Sequence, residues 1–123
     1  MNVLLIGGGG REHALAKAIL RSPKLTRLEV APGNAGTPEH NLQLAIADHI
    51  AVIERCRTSE MDLVVIGPEA PLVAGLADDL TAAGIACFGP SAAGARLEGS
   101  ESFARGFAAR HDIPIPVTAA FTE

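Results

Sequence analysis

The chain has 123 residues, 10 Lys plus Arg against 14 Asp plus Glu, and 48% hydrophobic residues, the composition of a soluble globular domain. A formal net charge of -4 leaves no electrostatic footprint for nucleic acid, and no run of Lys and Arg supplies one locally. Only Cys56 and Cys87 are cysteines, no basic leader precedes a long apolar run, and no apolar stretch reaches the ~18 residues of a membrane span. A reducing cytoplasm and no membrane partner are therefore expected.

The chain length fits one domain, and with 4 Phe and no Trp or Tyr its core must be built from Ala, Leu, Ile and Val. Val3 to Ile6 form a continuous apolar run closed by Gly7 to Gly10, which predicts a strand buried on both faces and ending in a glycine loop. From Arg11, Leu15 and Ile19 repeat at helical spacing with Lys17 and Arg21 on another face, until Ser22-Pro23 stops the pattern. Arg27 to Ala31 predicts a second strand, broken by Pro32-Gly33-Asn34-Ala35-Gly36. Leu42, Leu44 and Ile46 alternate as a third strand, and Asp48 caps a helix reaching about Arg57.

Asp62 to Ile66 returns as a buried strand running into Gly67-Pro68, and Leu72, Leu76 and Leu80 then line one face of a single helix. Gly84 ends that helix in the left-handed conformation, and Ile85 to Phe88 is a fifth strand closed by Gly89-Pro90. Ser91 caps a short helix carrying Ala95 and Leu97, and a further helix from about Ser100 to His111 holds Phe103 and Phe107. Ile113-Pro114-Ile115-Pro116 forbids helix and reads as an extended connector before a strand-like run, Val117 to Phe121. The alternation of strands and helices predicts an α/β, Rossmann-like open parallel sheet with helices on both faces. Residues 1–111 form that domain and 112–123 the connector, in a chain read as a fragment of a longer one.

Open parallel sheets bind ligands beyond the carboxyl ends of their strands. Three such ends carry unusual residues: Gly7-Gly8-Gly9-Gly10-Arg11-Glu12-His13, Pro32-Gly33-Asn34 and Gly67-Pro68-Glu69-Ala70-Pro71. The glycine loop offers free N–H groups at a helix start, where the macrodipole favours an anion, with phosphate the obvious guest. Arg11 adds a cation for phosphate or carboxylate, while Glu12 either opposes the dipole charge or holds a cationic group. The blander alternative is a tight turn with a solvated Arg and Glu.

A dinucleotide fingerprint fails on spacing, because Glu12 or His13 falls where its third glycine belongs, and no GxxxxGK[ST] occurs. Glu29 stands two positions too early for the ribose-binding acid of such folds. Glu69, between two prolines after a strand, suits an amine or hydroxyl at the crevice edge, or serves simple helix-start electrostatics. His13 either contacts a ligand phosphate or packs beneath the loop, whereas His40, His49 and His111 read as surface residues. No histidine pair or Cys–His spacing points to a metal site, and Cys56 and Cys87 read as small buried groups. No catalytic set is complete.

Together, Ile6-Gly7-Gly8-Gly9-Gly10-Arg11-Glu12-His13-Ala14-Leu15, Ala31-Pro32-Gly33-Asn34-Ala35-Gly36-Thr37, Gly67-Pro68-Glu69-Ala70-Pro71-Leu72-Val73 and Phe88-Gly89-Pro90 resemble the amino-terminal domain of phosphoribosylamine–glycine ligases, of the ATP-grasp ligases. The similarity continues through Leu97-Glu98-Gly99-Ser100 and Phe103 to Ala109-Arg110-His111. This resemblance implies an enzyme of de novo purine synthesis that uses ATP, with Mg²⁺ or Mn²⁺, to join glycine to 5-phosphoribosylamine and give glycinamide ribonucleotide. It implies that Gly9, Gly10, Arg11 and Glu12 lie at the phosphoribosylamine or product site, with Asn34 and Glu69 lining the same crevice.

One departure concerns the Ser-Lys-x-Phe segment of the family, associated with the nucleotide side, which reads Ser100-Glu101-Ser102-Phe103 here. Glu101 reverses that charge, and Arg105 keeps a cation one turn further on. The ATP-grasp domain is missing from the 123 residues, so by themselves they are expected not to catalyse ligation. The alternative is a stand-alone Rossmann-like module that binds a phosphorylated small molecule.

Overall fold

A computed structural model of the chain describes residues 1–116. The strands are β1 (Asn2–Gly7), β2 (Arg27–Pro32), β3 (Leu63–Ile66) and β4 (Cys87–Phe88), in the spatial order β2-β1-β3-β4 and parallel throughout. Val3 to Ile6 of β1 are buried because that strand is central, with β2 bonded on one side and β3 on the other. The chain therefore leaves β1 to pair β2 on one side and returns to pair β3 on the opposite side. This reversal puts the crevice of the sheet beyond the carboxyl ends of β1 and β3.

Period-two alternation along β1 divides the core in two. Val3 and Leu5 face α1 (Gly10–Leu20), where Ala16, Leu15 and Ile19 pack on them together with Leu28 and Val30 of β2. Leu4 and Ile6 face the other layer, formed by α2 (His49–Thr58), α3 (Glu69–Val73) and α4 (Leu76–Ala82), whose Val52, Cys56, Leu72, Leu76 and Leu80 are buried there. Helices thus cover both faces of the sheet as the sequence predicts.

Asp48 caps α2 by accepting from the Ala51 N–H at 3.1 Å, and Ser91 caps α5 (Ala92–Gly99) by accepting from the Gly94 N–H at 3.3 Å. Ser100 closes α5 and caps α6 (Glu101–Arg110) through the Phe103 N–H at 3.3 Å.

Three elements differ from the sequence reading. Leu42, Leu44 and Ile46 form no strand: after a single 3₁₀ turn, Pro38–His40, only Asn41 bridges Val30, and the Leu42 N–H donates to Val30 O at 2.8 Å. The alternating side chains nonetheless pack on the α2 layer, so the burial pattern is real while the ladder is missing. The helix expected through Leu72, Leu76 and Leu80 is two, divided at Gly75, whose φ of 95° ends α3 and starts α4. The last strand is limited to Cys87–Phe88, because only Cys87 and Phe88 find register with Val64 and Val65. The strand-like run at Val117 to Phe121 lies outside the described residues.

Candidate functional site

The loop after β1 turns sharply into α1 because Gly7 adopts a φ of +126°, a conformation costly for any residue with a Cβ. It packs backbone to backbone on the loop after β2: the Gly33 N–H donates to Gly7 O at 3.2 Å, and a Cβ on Gly8 would stand 2.7 Å from Gly33 O. Asn34 completes this junction. Its Nδ2 donates to Gly8 O at 3.1 Å and Gly9 O at 3.0 Å, and its Oδ1 accepts from the Gly36 N–H at 2.7 Å. The His13 ring lies against Gly36, where a Cβ would approach its Cε1 to 2.5 Å. Of the two roles open to His13, the described contact is packing between the loops.

Glu12 is turned inward and is only 4% exposed. Its Oε2 accepts from the Gly9 N–H at 2.6 Å, so the acid caps its own helix rather than standing out in solvent. The Gly10 and Arg11 amides, at the first two helical positions, meet no protein acceptor among the described residues. Gly10 also has open space where a Cβ would be. Arg11 is exposed and tethered, its Nη1 donating to Gly67 O at 2.6 Å.

The six residues singled out in the sequence therefore divide. Gly9, Glu12 and Asn34 form a bonded network inside the two loops. Arg11 and Glu69 line a separate cleft of about 240 Å³, together with Gly67, Leu72, Ala95 and Glu98. Gly10 stands exposed at the loop surface. The sequence reading missed the wall supplied by α5, since neither spacing nor a chemical motif shows that this helix packs on α3; only a contact distant in sequence reveals it.

A larger cleft of about 460 Å³ lies beside the outer edge of β2, away from the carboxyl ends of the strands. Within it Arg55 donates to both carboxylate oxygens of Glu29, at 3.0 and 2.6 Å, and Arg27 bonds the Ser59 carbonyl. Glu29, two positions early for a ribose-binding acid, is thus held sideways by α2. The hydrogen bond to Glu29 raises the Arg55 pKa above its ordinary value.

Burial pushes the Cys56 thiol up to about 11, with Cys87 adding to the shift, and burial likewise raises Cys87. His111 is exposed, as read from the sequence. His40 and His49 are half-buried instead, and His49 Nδ1 lies 2.6 Å from Asp79 of α4, because α2 and α4 pack side by side. Arg105, the cation one turn beyond Glu101, is not free, since its Nε donates to Glu101 Oε1 at 3.0 Å. No group of three metal-ligating side chains assembles among the described residues, and no described helix is long and apolar enough to cross a membrane.

The parallel sheet, its reversal at β1 and the helices on both faces define a Rossmann-like α/β domain. Residues 1–98 match the family model described as phosphoribosylglycinamide synthetase, N domain, and the chain belongs to that family. It is 60% identical over 116 residues to the phosphoribosylamine–glycine ligase of Agrobacterium fabrum, covering 93% of this chain and 27% of that protein. It is 46% identical over 127 residues to the ligase of the same name from Escherichia coli O6:H1, covering 100% of this chain and 30% of that protein. The trifunctional purine biosynthetic protein adenosine-3 of Gallus gallus is 50% identical over 125 residues, 98% of this chain and 12% of that protein. The chain thus spans under a third of the length of these relatives.

Proposed function

We propose that this chain is the substrate-cleft portion of an ATP-dependent phosphoribosylamine–glycine ligase, and that it binds 5-phosphoribosylamine or its product, glycinamide ribonucleotide. The observation that carries this reading is the pair of unpartnered Gly10 and Arg11 amides at the start of α1, beside a cleft that holds Arg11 and Glu69. A ligand with a phosphate at one end and an amine at the other matches those groups in sign. The amides and the Arg11 guanidinium take the phosphate, and Glu69 takes the amine, keeping its nitrogen aimed along the cleft. Gly9 and Asn34 support the loop and leave the binding to their neighbours.

ATP and its divalent cation supply the phosphoryl chemistry of such a ligase, but the described residues do not suit them. Glu101 occupies the position of the family's lysine, its carboxylate is paired with Arg105, and no metal-ligating group is gathered. The contribution of residues 1–116 is to bind and orient the phosphorylated amine.

An NMR titration of the chain with glycinamide ribonucleotide, with NAD as control, tests the reading. Saturable shifts confined to the amides of Gly7 to Glu12 and those around Gly67 to Glu69, absent with NAD, are expected. Shifts with NAD at the same loops, or saturable shifts only in the cleft beside β2, would overturn it.

A further inference from the structure

We infer that Glu12 is a positioning residue: its carboxylate touches no ligand, and it fixes the glycine loop so that the Gly10 and Arg11 amides face the anion while the Gly9 amide does not. The inference rests on the reading of this loop as the phosphate grip, and it separates Glu12 from the residues that make contact.

A carboxylate that is 4% exposed is costly unless its oxygens find donors. Here one oxygen takes the Gly9 N–H at 2.6 Å, a short, charge-assisted bond. The rest of the carboxylate fills a slot that exists only because two residues lack side chains. A Cβ on Gly7 would lie 2.5 Å from Glu12 Cγ, and one on Gly67 would lie 2.7 Å from Glu12 Cδ. Gly7 ends β1 and Gly67 follows β3, so the acid is wedged between the ends of two adjacent strands.

Gly67 is held twice, by Glu12 against its α-carbon and by the Arg11 guanidinium on its carbonyl at 2.6 Å. Consecutive residues of one helical turn thereby fix the distance between the loop amides and the β3–α3 turn that carries Glu69. The Gly9 N–H, already spent on Glu12, is unavailable to a phosphate. The donors left include the next two along the chain.

The test uses the 123-residue chain and the variants Glu12→Gln and Glu12→Ala. Gln keeps an oxygen acceptor of the same reach without the charge, whereas Ala removes the acceptor and leaves the slot empty. The ligand-free readout is the Gly9 amide, by its proton shift and its exchange protection. Both are expected to persist in large part in Glu12→Gln and to collapse in Glu12→Ala, with the amides around Gly67 moving too. An unchanged Gly9 amide in Glu12→Ala would overturn the inference, whatever the ligands do.

The second readout is affinity for two probes, ribose 5-phosphate, which has no amine, and glycinamide ribonucleotide. Positioning predicts that Gln binds both within about threefold of the unaltered chain, and that Ala weakens both together by about tenfold or more. Loss of glycinamide ribonucleotide alone in Glu12→Gln would make Glu12 an amine contact and overturn the inference. If the unaltered chain binds neither probe, the substrate reading fails, and the Gly9 amide still decides the role of Glu12. Should Glu12→Ala fold poorly, Glu12→Gln carries both readouts.

Discussion

Arg11 and Glu12 are adjacent in sequence and point to opposite fates, one to the rim of the cleft and one into the space between strand ends. An α-helix turns about 100° per residue, so neighbours on its first turn point in different directions even where both reach Gly67. Arg11 is exposed and held by one carbonyl, which leaves the rest of its guanidinium for a ligand. Replacing it by Ala should weaken binding of glycinamide ribonucleotide by about 1.5–3 kcal/mol, the worth of a charged hydrogen bond, without unfolding the domain. Isothermal titration of the variant measures this, and an unchanged affinity would place Arg11 outside the site. At this scale the sequence is only half legible: it shows that the loop carries Arg, Glu and Asn, but not which side chains the loop consumes. Asn34 illustrates the gap, since two of its three side-chain bonds go to Gly8 O and Gly9 O, which are near it only in space.

Among the elements, local chemistry accounts for the caps at Asp48, Ser91 and Ser100, because each N-cap bond closes within three residues. Local chemistry misleads where spacing outvotes a glycine. Leu72, Leu76 and Leu80 keep helical register on paper, yet Gly75 turns the chain left-handed between them and lets α4 reorient under the sheet. Alanine there must adopt the φ of 95° that glycine takes freely, so Gly75→Ala should cost about 1–2 kcal/mol in urea denaturation. A stabilised variant would mean that α3 and α4 can fuse into one helix. The segment carrying Leu42, Leu44 and Ile46 fails in the opposite way: its alternation signals burial, but the ladder needs a partner strand, and β2 accepts only Asn41.

For the molecule as a whole, the α2 layer of the core encloses a thiol, and this makes stability depend on alkaline pH. Cys56 is 2% exposed, and its pKa rises from 9.0 to about 11, chiefly through burial and then through Cys87. The folded state therefore keeps its proton where the unfolded chain has lost it. Below about pH 9 the preference for the folded state is fully present, and it declines as pH climbs from 9 towards 11. Denaturation midpoints at pH 8 and pH 10.5 should show this fall, and Cys56→Ala, though less stable at pH 8, should show a smaller one. An equal fall in both proteins would assign the effect to other groups. The same packing explains why α5 becomes a wall of the cleft: α3 and α5 meet across the end of the sheet, a contact no segment of sequence displays.

The sequence by itself determined the α/β alternation, the parallel class of the sheet, the glycine loop at the end of β1 and the family to which the domain belongs, though not the loss of the strand at Leu42 to Ile46 or the break at Gly75. Each of the features it determined is written in local periodicity or in contiguous motifs, which survive reading one residue after another. Only the tertiary structure decided that Glu12 and Asn34 serve the loops while Arg11 and Glu69 share a cleft, and that Glu101 occupies Arg105. The reason is physical: whether a polar group is spent or free depends on donors and acceptors brought beside it by folding. Sequence fixes which groups exist, and packing fixes which remain available to a ligand.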